Sequence, residues 1–397
     1  MDIREAAMKK KDVLTTNLKL SYFLIFGSFA CFFPFLTYYM QSRGLSFTQI
    51  GILFAVYSIT GVFTQPIWGF LTDKYLNKRI TIMILIVGSA ILITSFIFAN
   101  SFIAILLCIV FFLTFQSPII PVSDAFTYEI MEKKREIQYG RIRLMGSAGY
   151  AFMALISGQL VSRFGINIAF IMYPLLIMIG LVFIYRIDFQ GKKAKVKINV
   201  KDISKLFRNR RFLIFMLAVY TINIAIGSNN SYISLLIQKT GGTVAHIGVY
   251  GFMVAISELP SMFSGHKLMK RFGELNLFAI GIFFFVLRYL LDSLSVSYQM
   301  VLIVQVLQGV SFALFFMAAL QYLNGIVPSA MKTTAMTIFA AVCGLGNFTG
   351  NIGGGILLEH IDIFTLFRIL AAVSFVALLI ILGLKVYEKS LKEKLVS

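Results

Sequence analysis

Residues Gly69–Arg79 read GFLTDKYLNKR and lie between two long apolar runs. A short polar stretch in that position is expected to be a loop at a membrane face. It carries a turn glycine, Gly69, one acid, Asp73, and a basic end made of Lys74, Lys78 and Arg79. Gly69 would let two helices meet closely. Asp73 would accept from free backbone N–H groups at a neighbouring helix start, and the bases mark one side of the bilayer. A weaker echo, SGHKLMKRFG, spans Ser264–Gly273. One loop signature repeated about half a chain later implies two similar halves that move against each other.

Composition supports a membrane setting. Of 397 residues 58% are hydrophobic and 13% charged, more apolar surface than a soluble protein of this size can hide. Many runs exceed the ~20 residues needed to cross a bilayer, and the short alternating segments of a β-barrel are absent. The expected class is an all-α polytopic membrane protein. The formal net charge of +19 would suggest nucleic acid in a soluble chain. Here it fits basic cytoplasmic loops facing anionic lipid, so membrane lipid and not nucleic acid is the expected surface partner. Cys31, Cys108 and Cys343 lie inside apolar runs without close pairing, which points to packing. Lys9, Lys10 and Lys11 precede an apolar run too long for a signal-peptide core, so that run reads as a retained first span.

Twelve spans are expected, near 18–40, 47–72, 80–99, 102–128, 141–163, 166–187, 212–237, 246–268, 275–294, 298–324, 332–357 and 364–386. They divide into two six-span bundles, 1–187 and 212–397, joined by the basic linker 188–211, in which Val200–Phe207 can form a short surface helix. The tails, the linker and the even-numbered loops hold nearly all the bases, among them Lys133, Lys134, Arg135, Lys267, Lys270, Arg271, Lys389, Lys392 and Lys394. The other side has little beyond Arg43, Arg163 and Lys239. That asymmetry places both termini in the cytoplasm of a cell-membrane protein. Gly146 and Gly149 in span five, and Gly344–Gly355 in span eleven, allow close helix approach, either as static packing or as a sliding contact. Pro34, Pro66, Pro118, Pro121 and Pro260 can bend their spans.

Ionisable residues deep in spans are costly unless paired or wetted. Asp124 and Arg143 read either as hydrogen-bonding partners of a polar solute in a central cavity or as a structural ion pair. Glu258 reads as a proton-carrying carboxyl or as a fixed partner of Arg288. Arg288 and Asp292, four apart, can pair on one helix face, with Asp292 near the outer surface and structural. Asn223, Ser228, Asn229, Asn230, Ser231 and Tyr232 make a dense polar patch in span seven, which implies a wet cavity or a broken helix. Gln305, Gln308, Ser311 and Gln321 recur at helical spacing in span ten, suited to a hydroxylated solute or to interhelical bonding. Tyr150 follows the Arg143 and glycine cluster, where a sugar ring can lie on it. Other aromatics, Trp68 included, read as packing. His246, His266 and His360 sit at span ends without metal-ligand company. No nucleotide-binding glycine loop appears, and no catalytic or cofactor cluster, so neither an enzyme nor a cofactor is expected.

These residues resemble the major facilitator superfamily, whose loop 2–3 motif is matched by Gly69, Asp73 and Arg79. A closer likeness is to its lactose permease group of oligosaccharide and nucleoside proton symporters. FPFLTYYM at 33–40, QPIWGFLTDK at 65–74, SDAF at 123–126 and GRIRLMGSAGY at 140–150 carry it. The resemblance implies that Asp124 stands for a sugar-site glutamate, Arg143 for an essential arginine and Tyr150 for a stacking tryptophan. It also implies that Glu258, in SELP, and Arg288 take part in proton coupling. The group's charged residues in span ten are replaced here by Gln305, Gln308 and Ser311. Glu258 or Asp124 then carries the proton, or coupling is absent or uses another ion. The expectation is a monomeric importer of a small polar solute, a sugar or glycoside, by proton symport. The alternatives are an aromatic carboxylate or nucleoside as solute, or export of drugs or metabolites. A sensor would need a sizeable output domain, and only about a dozen residues follow Lys385.

Overall fold

The computed structural model describes residues 3–134, 137–189, 206, 208–328 and 331–396, without the side chains of 3–12, 262, 263, 266, 333, 392 and 394–396. Most of the linker expected at 188–211, with its helix at Val200–Phe207, lies outside the described residues. So do Arg135 and the side chains of Lys9, Lys10, Lys11, His266, Lys392 and Lys394.

The described residues contain no strand and twelve helices long and apolar enough to cross a membrane. We call them spans one to six: Val13–Ser42, Phe47–Lys74, Lys78–Ile97, Phe102–Lys133, Tyr139–Phe164 and Asn167–Tyr185. Spans seven to twelve are Arg210–Lys239, Val244–Ser261, Glu274–Ser293, Tyr298–Ile326, Thr334–Leu358 and Ile363–Leu391. The helix that begins span eight continues to Phe272. The ends are set by local chemistry. Asn77, Ser101, Asn209 and Ser297 cap the starts of spans three, four, seven and ten, each side chain accepting from a backbone N–H two or three residues on. Gly165 and Gly273 stop helices with φ of 81° and 77°, a backbone that side chains disfavour.

Two sequence expectations are corrected here. Gly69 is not in a loop: the helix runs unbroken from Phe47 to Lys74, past Pro66, and only residues 75–77 separate it from the next helix. Nor does Asp73 cap that helix. The cap is Asn77, whose Oδ1 accepts from the Ile80 N–H at 2.8 Å, because the residue just before a helix reaches its free N–H groups and one a turn back does not. Prolines act unequally. Span one passes through a 3-10 turn at Phe33–Phe35 and span four breaks at Pro118, whereas Pro260 sits inside a continuous helix. Span ten is interrupted, with helix Tyr298–Val304, a π turn at Gly309–Ala313, then helix Leu314–Ile326.

The chain forms two compact units. The first is Met1–Leu45, Thr60–Lys197 and Thr243–Ala255; the second is Ser46–Ile59, Ile198–Gly242 and Ile256–Ser397. Within the first, span one packs against spans five and six, and span three against four and six. Within the second, span seven packs against eleven and twelve, and span nine against ten and twelve. The same pairing recurs six spans later. At the first–fifth seam, a Cβ on Gly149 would collide with the Phe23 carbonyl; at the seventh–eleventh seam, one on Gly350 would collide with the Ile224 carbonyl. Both glycines are needed because backbone meets backbone there. An aromatic core of Tyr39, Phe96, Phe112, Phe170 and Tyr173 fills the first unit. The Tyr39 hydroxyl donates to the Phe96 and Ala99 carbonyls at 2.7 and 3.0 Å.

Candidate functional site

In the first unit, Tyr22 and Phe26 stand one turn apart on span one, their rings stacked at 5.9 Å. The Tyr22 hydroxyl donates to Asp124 Oδ1 of span four at 2.7 Å and lies 3.1 Å from Thr127 Oγ1. The Arg143 guanidinium of span five lies over the Phe26 ring, 4.1 Å from its centroid, a cation–π contact. Gly146 makes room, since a Cβ there would come within 2.8 Å of the Phe26 ring. Tyr139, one turn before Arg143, stacks on Tyr128 at 4.6 Å and interacts electrostatically with both Asp124 and Arg143. Asp124 and Arg143 are each half-buried, and no ion pair of 4.0 Å or less joins them. A carboxylate and a guanidinium thus share one neighbourhood without neutralising each other, and each keeps hydrogen-bonding capacity to spare.

Tyr150 is half-buried against the Ala30, Cys31 and Met153 cluster, with one ring carbon beside Gly251 of span eight. At the end of the unit that carries Lys78 and Arg79, Lys78 Nζ pairs with Glu129 Oε2 of span four at 2.8 Å. Arg79 donates to the Tyr185 carbonyl and lies over that residue's ring at 5.4 Å. Nothing lies within 4 Å of a Cβ built on Gly69. Asp73, half-buried, makes no hydrogen bond or ion pair among the described residues.

The second unit holds a different cluster. Arg288 and Asp292 are 1% and 0% exposed, and neither has an ion pair within 4.0 Å among the described residues. Arg288 lies over Tyr289 at 4.8 Å and reaches Ser311 Oγ at 3.5 Å, while its Nε is buried without a partner. Asp292 accepts from Gln305 Nε2, at 3.1 Å to Oδ1 and 3.4 Å to Oδ2. The same Nε2 donates to the Val301 carbonyl at 3.0 Å. Gln305 Oε1 and Gln308 Oε1 are buried without partners. Asp292, at the end of span nine, is therefore deeply enclosed and bonded to span ten, and it makes no ion pair with Arg288 on its helix face. Burial of its helix face between spans ten and twelve removes it from water. Glu258 is half-buried, and a Cβ on Gly309 would collide with the carbonyl of its neighbour Ser257, so spans eight and ten touch backbone to backbone beside the π turn. Such turns are frequent at functional sites.

The polar patch of span seven does not mark a break. Its helix is continuous over Arg210–Lys239. Asn223 Nδ2 donates to the Val219 carbonyl at 2.7 Å and lies 3.5 Å from Cys343 Sγ. Ser231 donates to Asn351 Oδ1 at 2.8 Å, and Tyr232 to the Asn351 carbonyl at 3.0 Å. Asn229 is buried with its Oδ1 unpartnered, its Nδ2 3.4 Å from Oδ1 of the exposed Asn230. Much of this patch binds span eleven, because Gly346, Gly350 and Gly354 bring that helix close enough. Asn351 Nδ2 also donates to the Phe54 carbonyl and to Ser58 Oγ, both at 3.0 Å, tying the first half of span two to span eleven.

Tyr22 and Phe26 were not picked out from sequence. Their spacing of four, which puts a tyrosine and a phenylalanine on one helix face, was the available signal. The described residues contain no group of three potential metal ligands.

Comparison with known proteins fits this architecture. Residues 15–369 match the model of the MFS_1 like family. The chain is 30% identical over 364 residues, 90% of each protein, to the uncharacterized transporter YwbF of Bacillus subtilis (strain 168). It is 29% identical over 382 residues, 96% of each protein, to the maltose permease of Geobacillus stearothermophilus. The solved structure of the nucleoside transporter NupG matches its fold with a TM-score of 0.83, covering 94% of this chain and 98% of that one at 18% identity. The chain is a multi-pass membrane protein of the major facilitator superfamily, a family of transporters.

Proposed function

We propose that the protein imports a small polar solute, a sugar or glycoside, by proton symport, with both termini cytoplasmic and the solute site opening alternately to the two sides. The observation that carries this reading is the arrangement around span one. Asp124 rests on the Tyr22 hydroxyl and Arg143 on the Phe26 ring, and no ion pair joins the two charges. Sugar hydroxyls both donate and accept, so a carboxylate and a guanidinium with spare capacity suit them. Each charge-assisted bond contributes about 1.5–3 kcal/mol. The maltose permease likeness over nearly the whole chain supports a sugar in particular. We assign to Tyr150, two turns on from Arg143 along span five, a ring face for the solute; within the second unit Gln308 holds a buried amide oxygen without a partner among the described residues. Glu258 and Arg288 take part in coupling, and Gly69, Asp73 and Arg79 in the conformational change.

Thermal unfolding of the purified protein against maltose, uridine and 3-phenylpropionate tests this, because a bound ligand raises apparent stability by mass action. The expected result is a shift with maltose that Arg143→Ala abolishes. A shift with 3-phenylpropionate alone would replace the sugar with a carboxylate solute held by Arg143. An unchanged maltose shift in Arg143→Ala would remove Arg143 from the site.

A further inference from the structure

The buried cluster of the second unit contains a carboxyl that the solute site does not use. Asp292 is fully buried; among the described residues its carboxylate has one side-chain donor, the amide of Gln305, and no cation within ion-pair distance. An ionised carboxylate offers about four acceptor positions, so most of its capacity is unused. The amide that touches it is unsatisfied in the complementary sense: Gln305 Oε1 is a buried acceptor without a donor. Adding one proton to Asp292 repairs both defects. The acid O–H is a donor of the kind that Gln305 Oε1, on the same amide, lacks, while Gln305 Nε2 can continue to donate to the other carboxyl oxygen.

We propose that Asp292, gripped by Gln305, is a proton site of the transport cycle. This rests on the symport reading above and places the proton on a carboxyl other than Glu258 or Asp124. One proton from water on one side joins an Asp292 oxygen, and the same proton leaves to water on the other side; no other bond changes. Its gain and loss are felt by Arg288, one turn away and also buried without an ion pair among the described residues. With Asp292 ionised, the two opposite charges offset each other in a poorly solvated interior. With Asp292 protonated, Arg288 holds an unbalanced charge beside Ser311 and the π turn that touches span eight at Ser257. The proton thereby biases the contact between spans eight and ten that carries Glu258. Other charges near this end of span nine are few. Span ten brings no charged residue and only Tyr298 at its start, and span twelve brings Asp362 and Arg368, both exposed.

The test is infrared titration of the full-length protein in proteoliposomes, with no solute present. Wild type and Glu258→Gln are expected to share a protonated-carboxyl band that disappears as pH rises, and Asp292→Asn to lack it. The same titrating band in Asp292→Asn would overturn the proposal, whatever the solute is. A second arm uses radiolabelled maltose. Asp292→Asn is expected to keep maltose exchange across the membrane and lose accumulation driven by a pH gradient; accumulation at the wild-type level would also overturn it. If Asp292→Asn fails to fold, Gln305→Leu serves in its place, with the titrating band displaced in pH as the expected result and an unmoved band as the contrary one. A wild type that accumulates no maltose on any gradient, yet shows the band, would count against the sugar-symport reading and leave the proton site standing.

Discussion

The two units each bring a carboxylate and a guanidinium together, and they do it in opposite ways. Asp124 and Arg143 are half-exposed, and each is steadied by its own aromatic of span one. Arg288 and Asp292 are sealed from solvent and lean on neutral groups of span ten. A half-exposed charge keeps a hydration shell that a solute can replace at modest cost. A sealed charge has no such exchange open to it, and its energy changes mainly when a proton is gained or lost. On the function proposed above, this difference in burial separates a place for binding from a place for storing charge.

The largest expected effect breaks the sealed cluster. Arg288→Met removes the buried opposite charge one turn from Asp292, together with its contacts to Tyr289 and Ser311, and is expected to give the largest fall in thermal unfolding temperature of the variants considered. Adding Asp292→Asn should restore much of that loss. Arg143→Met in the half-exposed cluster should change stability by no more than about 1 kcal/mol. Equal losses at the two arginines would erase the contrast.

Next comes binding. Arg143→Ala removes a charged donor and should weaken maltose affinity by about 10- to 100-fold, measured by calorimetry. Tyr22→Phe removes only the hydroxyl that steadies Asp124, and about a 5- to 10-fold loss is expected. A larger loss for Tyr22→Phe than for Arg143→Ala would make the tyrosine the primary contact.

Much of the fold was legible in the sequence. The twelve apolar runs sit within a few residues of the observed spans, because length and hydropathy report the bilayer directly. The caps Asn77, Ser101, Asn209 and Ser297 are of residue types that favour helix starts, yet the sequence pattern pointed to Asp73 for that role, a turn too early. Side-chain roles inside spans were harder to read. Phe26 looks like any lipid-facing or packing phenylalanine until Arg143 is found above it. The polar run of span seven suggests water, and only the close approach of the span eleven glycines reveals that Asn351 satisfies Ser231 and Tyr232. The enclosure of Asp292 at the end of span nine was not legible, because sequence distance to a loop does not report what packs over a residue. The π turn at Gly309–Ala313 leaves no local sequence signature beyond a glycine.

The smallest expected effect concerns the contact between span two and span eleven. Glu359, in the turn after span eleven, accepts from the Thr48 N–H at 3.0 Å, and that bond holds its carboxyl below the usual glutamate value of 4.5. A depressed value means the contact stabilises the fold above the unfolded-state value and is lost as pH falls through the folded-state one. Thermal stability should therefore drop slightly more between pH 5 and roughly 3 in wild type than in Glu359→Gln. Identical pH profiles would show that the bond contributes nothing measurable.

The division between the two clusters is tested most directly by transport in proteoliposomes, comparing Arg143→Ala with Asp292→Asn for maltose exchange and for pH-driven maltose accumulation. Arg143→Ala is expected to lose both, and Asp292→Asn to lose accumulation alone. Wild-type exchange in Arg143→Ala, or wild-type accumulation in Asp292→Asn, would contradict it.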